Sequence, residues 1–190
     1  MIAIPTIFKE VFLLKLERHI DLRGSFLESY NQKDFEIIMG REIVFFQDNH
    51  ITSRKGVLRG LHYQLPPFSQ SKLVCVIQGI VLDVVVDIRK GSPTFGQYFC
   101  QELSGDNCLQ IYIPRGFAHG YITLSEKCIF KYKVDQYYQP DSEGSIRPDD
   151  PELAIDWQLP KSEWIQSKKD ENHPLMADAK LFEYNNNPYV

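Results

Sequence analysis

The 190-residue chain lacks several patterns that mark other classes of protein. Its four cysteines show neither C-x-x-C spacing nor the density of a disulfide scaffold, so we expect reduced, buried thiols. No apolar run approaches the roughly 18 residues of a membrane span. Charged residues interrupt the N-terminal stretch, which therefore matches no signal peptide. These absences predict a cytoplasmic protein.

The chain is also short of positive charge. Its 21 Lys and Arg residues are outnumbered by 25 Asp and Glu, giving a formal net charge of −4. Because nucleic-acid binding needs a concentrated basic surface, we expect no nucleic-acid partner. Because no apolar run is long enough to span a bilayer, we expect no membrane partner either. Any anionic partner should be small and bound locally. The length and the 43% hydrophobic content suit a single domain spanning residues 1–190.

Helical periodicity is scarce and confined to residues 32–39 and the C-terminal third. Apolar, β-branched runs dominate the middle of the chain and predict strands. Two of these runs are separated only by Gln78 and Gly79, a spacing suited to a tight hairpin. Many short strands predict an all-β sandwich or barrel with short helices near the C-terminal end. The predicted strands are 43–46, 57–64, 73–77, 80–88, 98–103, 109–113, 120–124 and 128–134.

Three segments place chemically active side chains inside this strand pattern. GVLRGLHYQ carries Arg59 and His62, IPRGFAHGY carries His119, and FKYKVDQYY carries Tyr132 and Tyr138. A base, a cation and phenols that converge on one interior are typical of a site for acid–base chemistry. Together they indicate a pocket for a polar, anionic ligand.

The alternation of side chains along a strand sorts these residues further. Tyr132 shares a face with apolar neighbours and is predicted to point inward. The same alternation predicts that His62 points inward and that Arg59 lies on the opposite face of the strand. If both serve one pocket, Gly60 should mark a bulge or bend. Taken singly, these residues fit ordinary core or surface roles, and Lys72 fits a solvated strand end, so the prediction depends on their convergence.

Successive segments of the chain resemble the motifs of the dTDP-4-dehydrorhamnose 3,5-epimerase family. In order they are DLRGSFLESYN, FQDNHITS, GVLRGLHYQ, SKLVCVIQGIVLDVVVDIRKGSPTFG, IPRGFAHGY, YKVDQYY and DDPELAIDW. The resemblance implies the cupin fold, a jelly-roll antiparallel β-barrel, and a homodimer. It also implies an isomerase of carbohydrate biosynthesis that acts on a dTDP-linked 4-keto sugar without cofactor or metal.

The resemblance implies a catalytic set as well. A 4-keto sugar has acidified hydrogens beside its carbonyl, so a base can remove each one and an acid can reprotonate the opposite face. By similarity, His62 is the base and Asp170 the carboxylate that orients it. Lys72 would stabilise the enolate and Tyr132 would be the acid. Asp83, inside an apolar run, is either a second polar partner of His62 or an outward-facing strand residue.

Nine further residues are implied to contact the substrate. A guanidinium fork matches phosphate geometry better than an ammonium does, which suits arginine to the diphosphate. The implied roles are Arg59 and Arg23 at the diphosphate, Gln47 and Asn49 at the nucleotide, Tyr138 beside the base or sugar, His119 beside the pocket, Lys169 on the phosphate side, and Phe26 and Glu28 reaching from the neighbouring subunit. For Arg23 and Glu28 a surface salt bridge is the alternative.

Three other functions remain open on the sequence. A mono-epimerase would share most of these residues. A metal-dependent cupin would usually supply a second histidine two residues after His62, where this chain has Gln64. No pair at metal-ligand spacing surrounds His62, so we expect activity to survive chelation. A non-catalytic sugar-nucleotide sensor would keep Arg23 and Arg59 but would not need the acid–base residues.

Overall fold

A computed structural model of the chain describes residues 1–189, and most of its regular structure is antiparallel β-sheet. The all-β prediction is confirmed. One α-helix, α1, forms over Gln32–Met39 as predicted. Short 3-10 helices follow at Pro140–Ser142, Lys161–Glu163, Asp170–Asn172 and Met176–Asp178. The strands are β1 Ile2–Pro5, β2 Phe12–Lys15, β3 Arg18–Asp21, β4 Gly24–Leu27, β5 Gln47–Arg54, β6 Leu58–Gln64, β7 Lys72–Gln78, β8 Ile80–Asp87, β9 Arg89–Lys90, β10 Tyr98–Ser104, β11 Leu109–Ile113, β12 Phe117–Thr123, β13 Lys127–Val134, β14 Glu143–Ser145 and β15 Phe182–Glu183.

Two large sheets form the body of the protein. One has the strand order β1-β2-β11-β7-β13-β5 and the other β10-β8-β12-β6-β14. Val74 and Phe130 of the first sheet pack with Val85 and Phe117 of the second in one buried cluster. Burying such a side chain contributes about 1.5–3 kcal/mol, so this layer holds the two sheets face to face. The space between them is where polar residues can be sequestered from water.

The C-terminal third covers the outer face of the five-stranded sheet. Trp157, Met176 and Phe182 pack there against apolar residues of that sheet, including Leu82 and Val84. This cover explains why every residue of β8 after Ile80 is buried, although alternate side chains point to opposite faces. It also carries the short 3-10 helix Asp170–Asn172 to the sheet, which matters for the site.

The predicted hairpin at Gln78 and Gly79 is wrong. β7 pairs with β11 and β13, whereas β8 pairs with β10 and β12, so the chain crosses between sheets at this point. Gly79 has φ +85°, and a Cβ there would lie 2.2 Å from the carbonyl oxygen of Lys127. Only glycine fits this corner. The pattern of apolar runs predicted where these strands lie, but which strands pair with one another depends on residues far apart in the sequence.

The predicted strand at residues 43–46 is also wrong. Ile43 is buried beside Phe35 of α1, in a small cluster on the outside of the six-stranded sheet, while Phe46 is 54% exposed. The segment is an irregular connection, and the strand begins at Gln47. Its apolar residues therefore reflect the docking of α1 and not strand pairing. The N-terminal strands β1 to β4 were not predicted either.

All four cysteines are free thiols. Cys108 and Cys128 are buried and Cys75 is partly buried, but Cys100 is exposed. The prediction of buried thiols is wrong for Cys100, because it lies on β10, at the edge of its sheet. Across residues 1–189, no helix has both the length and the apolar content needed to cross a bilayer.

Candidate active site

A cavity of about 170 Å³ opens between the two large sheets. Six of the residues singled out in the sequence line it: Arg59, His62, Lys72, His119, Tyr132 and Asp170. A second cavity of about 140 Å³ shares three of them, His62, Lys72 and Tyr132, and adds Tyr138. The structure thus brings together the residues proposed for acid–base chemistry and one residue proposed to flank the nucleotide.

The two sheets supply different parts of the cavity. His62 on β6 lies directly opposite His119 on the neighbouring strand β12. Lys72 begins β7 and Tyr132 lies on β13, both in the other large sheet. The predicted inward direction of Tyr132 is confirmed, since it packs against the core between the sheets. A ligand in the cavity would therefore meet histidines on one side and a phenol and an ammonium on the other.

Gly60 lets one strand present both Arg59 and His62 to the same cavity. The β6–β12 register shifts between the pairs formed by His119 and Tyr121, at the level of Gly60. Gly60 has φ +126°, and a Cβ there would lie 2.6 Å from the Cα of Gly120. The predicted bend at Gly60 is confirmed, and it explains how residues three apart escape strict alternation.

His62 and Asp170 form a hydrogen-bonded pair. Nε2 of His62 lies 2.8 Å from Oδ1 of Asp170. Asp170 is the first residue of a 3-10 helix. Within residues 1–189, no lysine or arginine forms an ion pair with its carboxylate. Burial opposes ionisation of Asp170, but the hydrogen bond from His62 and the electrostatic influence of His62 and His173 together outweigh it, and the pKa of Asp170 is lowered. An ionised Asp170 fixes the proton on Nε2 and leaves the lone pair of Nδ1 for a proton transfer.

A second histidine–aspartate pair lies deeper in the sheet. Nε2 of His119 is 2.9 Å from Oδ2 of Asp83, and both side chains are buried. Burial raises the pKa of Asp83 and lowers the pKa of His119. The expectation that Asp83 partners His62 or points outward is wrong, because β8 adjoins β12 and not β6. Asp83 is instead the partner of His119.

Lys72 and Tyr132 carry shifted pKa values that suit an electrostatic role and an acid role. Burial lowers the pKa of Lys72 to about 8, although the negative charges of Asp83 and Glu143 oppose the shift. Its Nζ donates a hydrogen bond of 3.3 Å to the backbone oxygen of His62. Burial raises the pKa of Tyr132, so its phenol keeps its proton at neutral pH.

Glu143 is a site residue that the sequence reasoning missed. It accepts hydrogen bonds from the hydroxyl of Tyr138, at 2.6 Å, and from Nζ of Lys169, at 2.7 Å. Burial opposes its ionisation, but these two donors outweigh it and lower its pKa. Glu143 follows a proline-containing 3-10 turn, where no periodic pattern marks a functional residue. It ties Tyr138 and Lys169 together at the mouth of the second cavity.

His173 was also missed. It is buried three residues after Asp170, and its ring meets the ring of His62 edge to face with centroids 5.1 Å apart. Ligand atoms of His62, Asp170 and His173 all lie within 4.8 Å of one another, the kind of cluster that can hold a metal ion. The only sequence signal would have been its spacing from Asp170, in a segment otherwise dominated by exposed polar residues.

The remaining predicted site residues lie outside these cavities. Gln47 and Asn49 lie on β5, and Asn49 is the direct neighbour of Tyr132 on β13. The others, Arg23, Phe26 and Glu28, are exposed on or just after the β3–β4 hairpin. Arg23 forms an ion pair with Asp21 at 2.5 Å. A single chain therefore does not bring these three residues to His62.

A larger cavity of about 360 Å³ lies elsewhere, beside the C-terminal segment. Its arginines are already engaged. Arg89 pairs with Asp87 and Glu10, Arg115 pairs with Asp135, and Arg41 stacks on a tyrosine ring. It lacks the facing base and acid of the smaller cavity, so volume alone does not make it the candidate active site.

Comparison with known proteins agrees with this geometry. The family model described as dTDP-4-dehydrorhamnose 3,5-epimerase matches residues 5–178. A curated relative of that name from Salmonella typhimurium is 50% identical over 186 residues, covering 96% of this chain and all of the relative. A relative of the same name from Methanothermobacter thermautotrophicus is 42% identical, over 94% of this chain and 96% of its own.

Two solved structures show the likeness at different levels of sequence identity. The dTDP-6-deoxy-D-glucose-3,5-epimerase of Legionella pneumophila, solved with dTDP-4-keto-L-rhamnose, has TM-score 0.92 and 45% identity, covering 97% of this chain and 98% of its own. A 3'-monoepimerase from Streptomyces bikiniensis, solved with dTDP-quinovose, has TM-score 0.85 and 32% identity, covering 91% and 87%. The expected cupin jelly roll is confirmed. The chain belongs to the dTDP-4-dehydrorhamnose 3,5-epimerase family and is an enzyme of the isomerase class.

Proposed function

We propose that the protein epimerises dTDP-4-dehydro-6-deoxy-D-glucose at carbons 3 and 5, giving dTDP-4-dehydro-L-rhamnose, without a cofactor. The observation that carries the proposal is the placement of His62 and Tyr132 on facing sheets across one cavity. Inversion at carbon needs a base on one side of the sugar ring and an acid on the other. A cavity with both groups on one wall would not suit it.

In the proposed reaction, Nδ1 of His62 takes the proton from a carbon beside the 4-keto group. The C–H electron pair moves into an enolate, whose developing negative charge lies near the ammonium of Lys72. A preorganised cation in a site shielded from water stabilises such a charge by roughly 10²–10³-fold in rate. Tyr132 then donates its phenolic proton to the opposite face of the same carbon, and exchange with solvent restores both groups. Repetition at the other carbon completes the double inversion.

We assign substrate binding to the residues around this centre. Arg59, at the cavity wall, holds the diphosphate, and His119 contacts the substrate beside the pocket. Tyr138 flanks the base or sugar, with Lys169 on the phosphate side; their shared contact with Glu143 supports this placement. Gln47 and Asn49 bind the nucleotide from the strand next to Tyr132.

The exposed β3–β4 hairpin completes the site in a homodimer. Arg23 and Phe26 lie on this hairpin, and Glu28 follows it directly. Phe26 is 67% exposed, and its ring stacks on His19 of its own chain. We propose that these three residues reach the nucleotide bound by the neighbouring subunit.

A mono-epimerase is the second candidate. The Streptomyces bikiniensis relative described as a 3'-monoepimerase shares the fold at TM-score 0.85, so likeness of fold does not separate one inversion from two. Incubation with dTDP-4-keto-6-deoxyglucose in deuterated water, followed by mass spectrometry, distinguishes them. Two exchanged positions support the 3,5-epimerase, one supports the mono-epimerase, and none contradicts both.

A further inference from the structure

His173 is buried, yet neither of its ring nitrogens has a hydrogen-bond partner within residues 1–189. A buried polar group left unpaired costs about 1–3 kcal/mol, so such a group calls for an explanation. Its Nε2 lies 3.4 Å from Oδ1 of Asp170 without forming a hydrogen bond. The proposed reaction does not use His173. A ligand that needs a nitrogen lone pair at this position would account for it.

The atoms around His173 have the spacing of a metal site. Nε2 of His62 and Nε2 of His173 lie 2.8 and 3.4 Å from the same carboxylate oxygen of Asp170. Ligands about 2.1 Å from a tetrahedral Zn²⁺ lie about 3.4 Å from one another. The contact of His173 already has that length, and His62 would need to withdraw by about half an ångström. Two imidazoles and one carboxylate are a common ligand set for Zn²⁺ and its neighbours.

We propose that His62, Asp170 and His173 form a binding site for one divalent transition-metal ion, with Zn²⁺ as the expected occupant, and that the bound ion inhibits the enzyme. The three side chains leave a fourth position open to water from the cavity that His62 and Asp170 line. No pair at metal-ligand spacing surrounds His62 in the sequence, because Asp170 and His173 come to it from the C-terminal third.

Inhibition follows from the chemistry of imidazole and rests on the proposed function. A neutral imidazole that binds a metal through Nε2 carries its proton on Nδ1. The lone pair that would remove the substrate proton is then absent, and Asp170 is occupied as a ligand. The metal would therefore block the base without displacing the nucleotide. Chelation should restore activity to a zinc-treated enzyme and leave a metal-free enzyme unchanged.

Metal binding can be tested without any assay of turnover. The purified chain is titrated with Zn²⁺ by calorimetry and with Co²⁺ by visible absorption. We expect one ion to bind per chain. Bound Co²⁺ should show the visible absorption bands of a site with few ligands, and added Zn²⁺ should abolish these bands by displacing it. Absence of saturable binding to the wild-type chain would overturn the proposal.

Variants identify the ligands. His173→Gln and His62→Gln should each lower Zn²⁺ affinity by at least about tenfold, since even outer contacts of a metal site are worth 10–100-fold. The control His50→Gln changes an exposed histidine on β5 and should bind as the wild type does. Thermal unfolding followed by circular dichroism confirms that each variant is folded. Equal affinity of folded His173→Gln and wild type would refute the assignment.

Inhibition is measured separately, as deuterium exchange into the 4-keto sugar nucleotide at rising Zn²⁺ concentration. The wild type should lose exchange and regain it with EDTA, while His173→Gln should need at least about tenfold more Zn²⁺. One ion bound with undiminished exchange would overturn the inhibitory role. A metal-free enzyme with no exchange at all would refute the proposed function, while the Co²⁺ spectrum would still decide the metal site.

Discussion

Two histidine–aspartate pairs lie side by side in the five-stranded sheet and its C-terminal cover, and they differ in surroundings more than in geometry. Their hydrogen bonds are 2.8 Å for His62–Asp170 and 2.9 Å for His119–Asp83. The histidine side chain is 30% exposed in the first pair and 8% in the second. The pair open to solvent can exchange protons with it, whereas the enclosed pair can do so only with difficulty.

The pKa values of the two carboxylates, Asp170 and Asp83, are also shifted in opposite directions. Asp170 lies on a short 3-10 helix and its pKa is lowered, because the hydrogen bond from His62 and the electrostatic influence of His62 and His173 together outweigh burial. Asp83 lies within β8, and burial raises its pKa. A residue type and a bond length therefore do not define a role. Both histidines line the cavity, so solvent exposure and the balance of burial against hydrogen bonds and neighbouring charges separate the proposed base, His62, from His119.

The largest expected effect is at His62. His62→Ala should lower both deuterium exchange and epimerisation by about 10³–10⁴-fold, because no enolate forms without the base. His119→Ala is the matched substitution in the enclosed pair and should retain measurable exchange. Both rates come from mass and NMR analysis of the sugar in deuterated water. Similar loss of exchange in the two variants would mean that the pairs do not differ in role.

The two aspartates should separate activity from stability. Asp170→Ala should lower kcat by about 10²-fold, since the imidazole loses its orienting partner, with a small effect on unfolding. Asp83→Ala should lower the free energy of unfolding by about 2–4 kcal/mol, because it leaves a cavity and an unpaired buried His119. Urea denaturation and steady-state kinetics measure the two quantities. A reversed pattern would exchange the roles assigned to the pairs.

The sequence predicted a strand well where the apolar residues of the strand itself were enough to identify it. The run from Ile80 to Asp87 is apolar because both faces of β8 are covered, and no knowledge of its neighbours was needed to recognise a strand. Strand partners are a different matter. Gln78 and Gly79 look like a hairpin turn, yet they carry the chain between sheets, because pairing depends on residues far along the chain.

The site shows the same division. His62 and Tyr132 could be placed from strand alternation and family motifs. Asp83 was expected either to partner His62 or to face outward, and both alternatives are wrong, because strand order places it beside His119. Glu143 and His173 were missed, since they come from segments without periodicity that only the folded C-terminal third brings to the cavity.

Tyr132 tests whether acid and base act from opposite sheets. Tyr132→Phe should lower inversion by about 10²-fold but lower exchange far less, because His62 can return a solvent-derived proton to the original face. The ratio of exchanged to inverted product, followed over time by NMR, gives the two rates. Equal loss of exchange and inversion would show that the two roles are not divided between the sheets.

The smallest expected effect is a fall of kcat/KM at high pH caused by deprotonation of Lys72. Burial lowers its pKa to about 8, so Lys72 is a cation below that pH and neutral above it. Because the enolate needs the cation, kcat/KM should fall as the pH rises through about 8. Above that pH it should decrease by about tenfold for each further pH unit. Lys72→Arg keeps its charge throughout this range and should not show this fall, whatever its absolute rate. Since kcat/KM reports the free enzyme, an unchanged fall in Lys72→Arg would assign the titration to another group and remove the cation from the proposed mechanism.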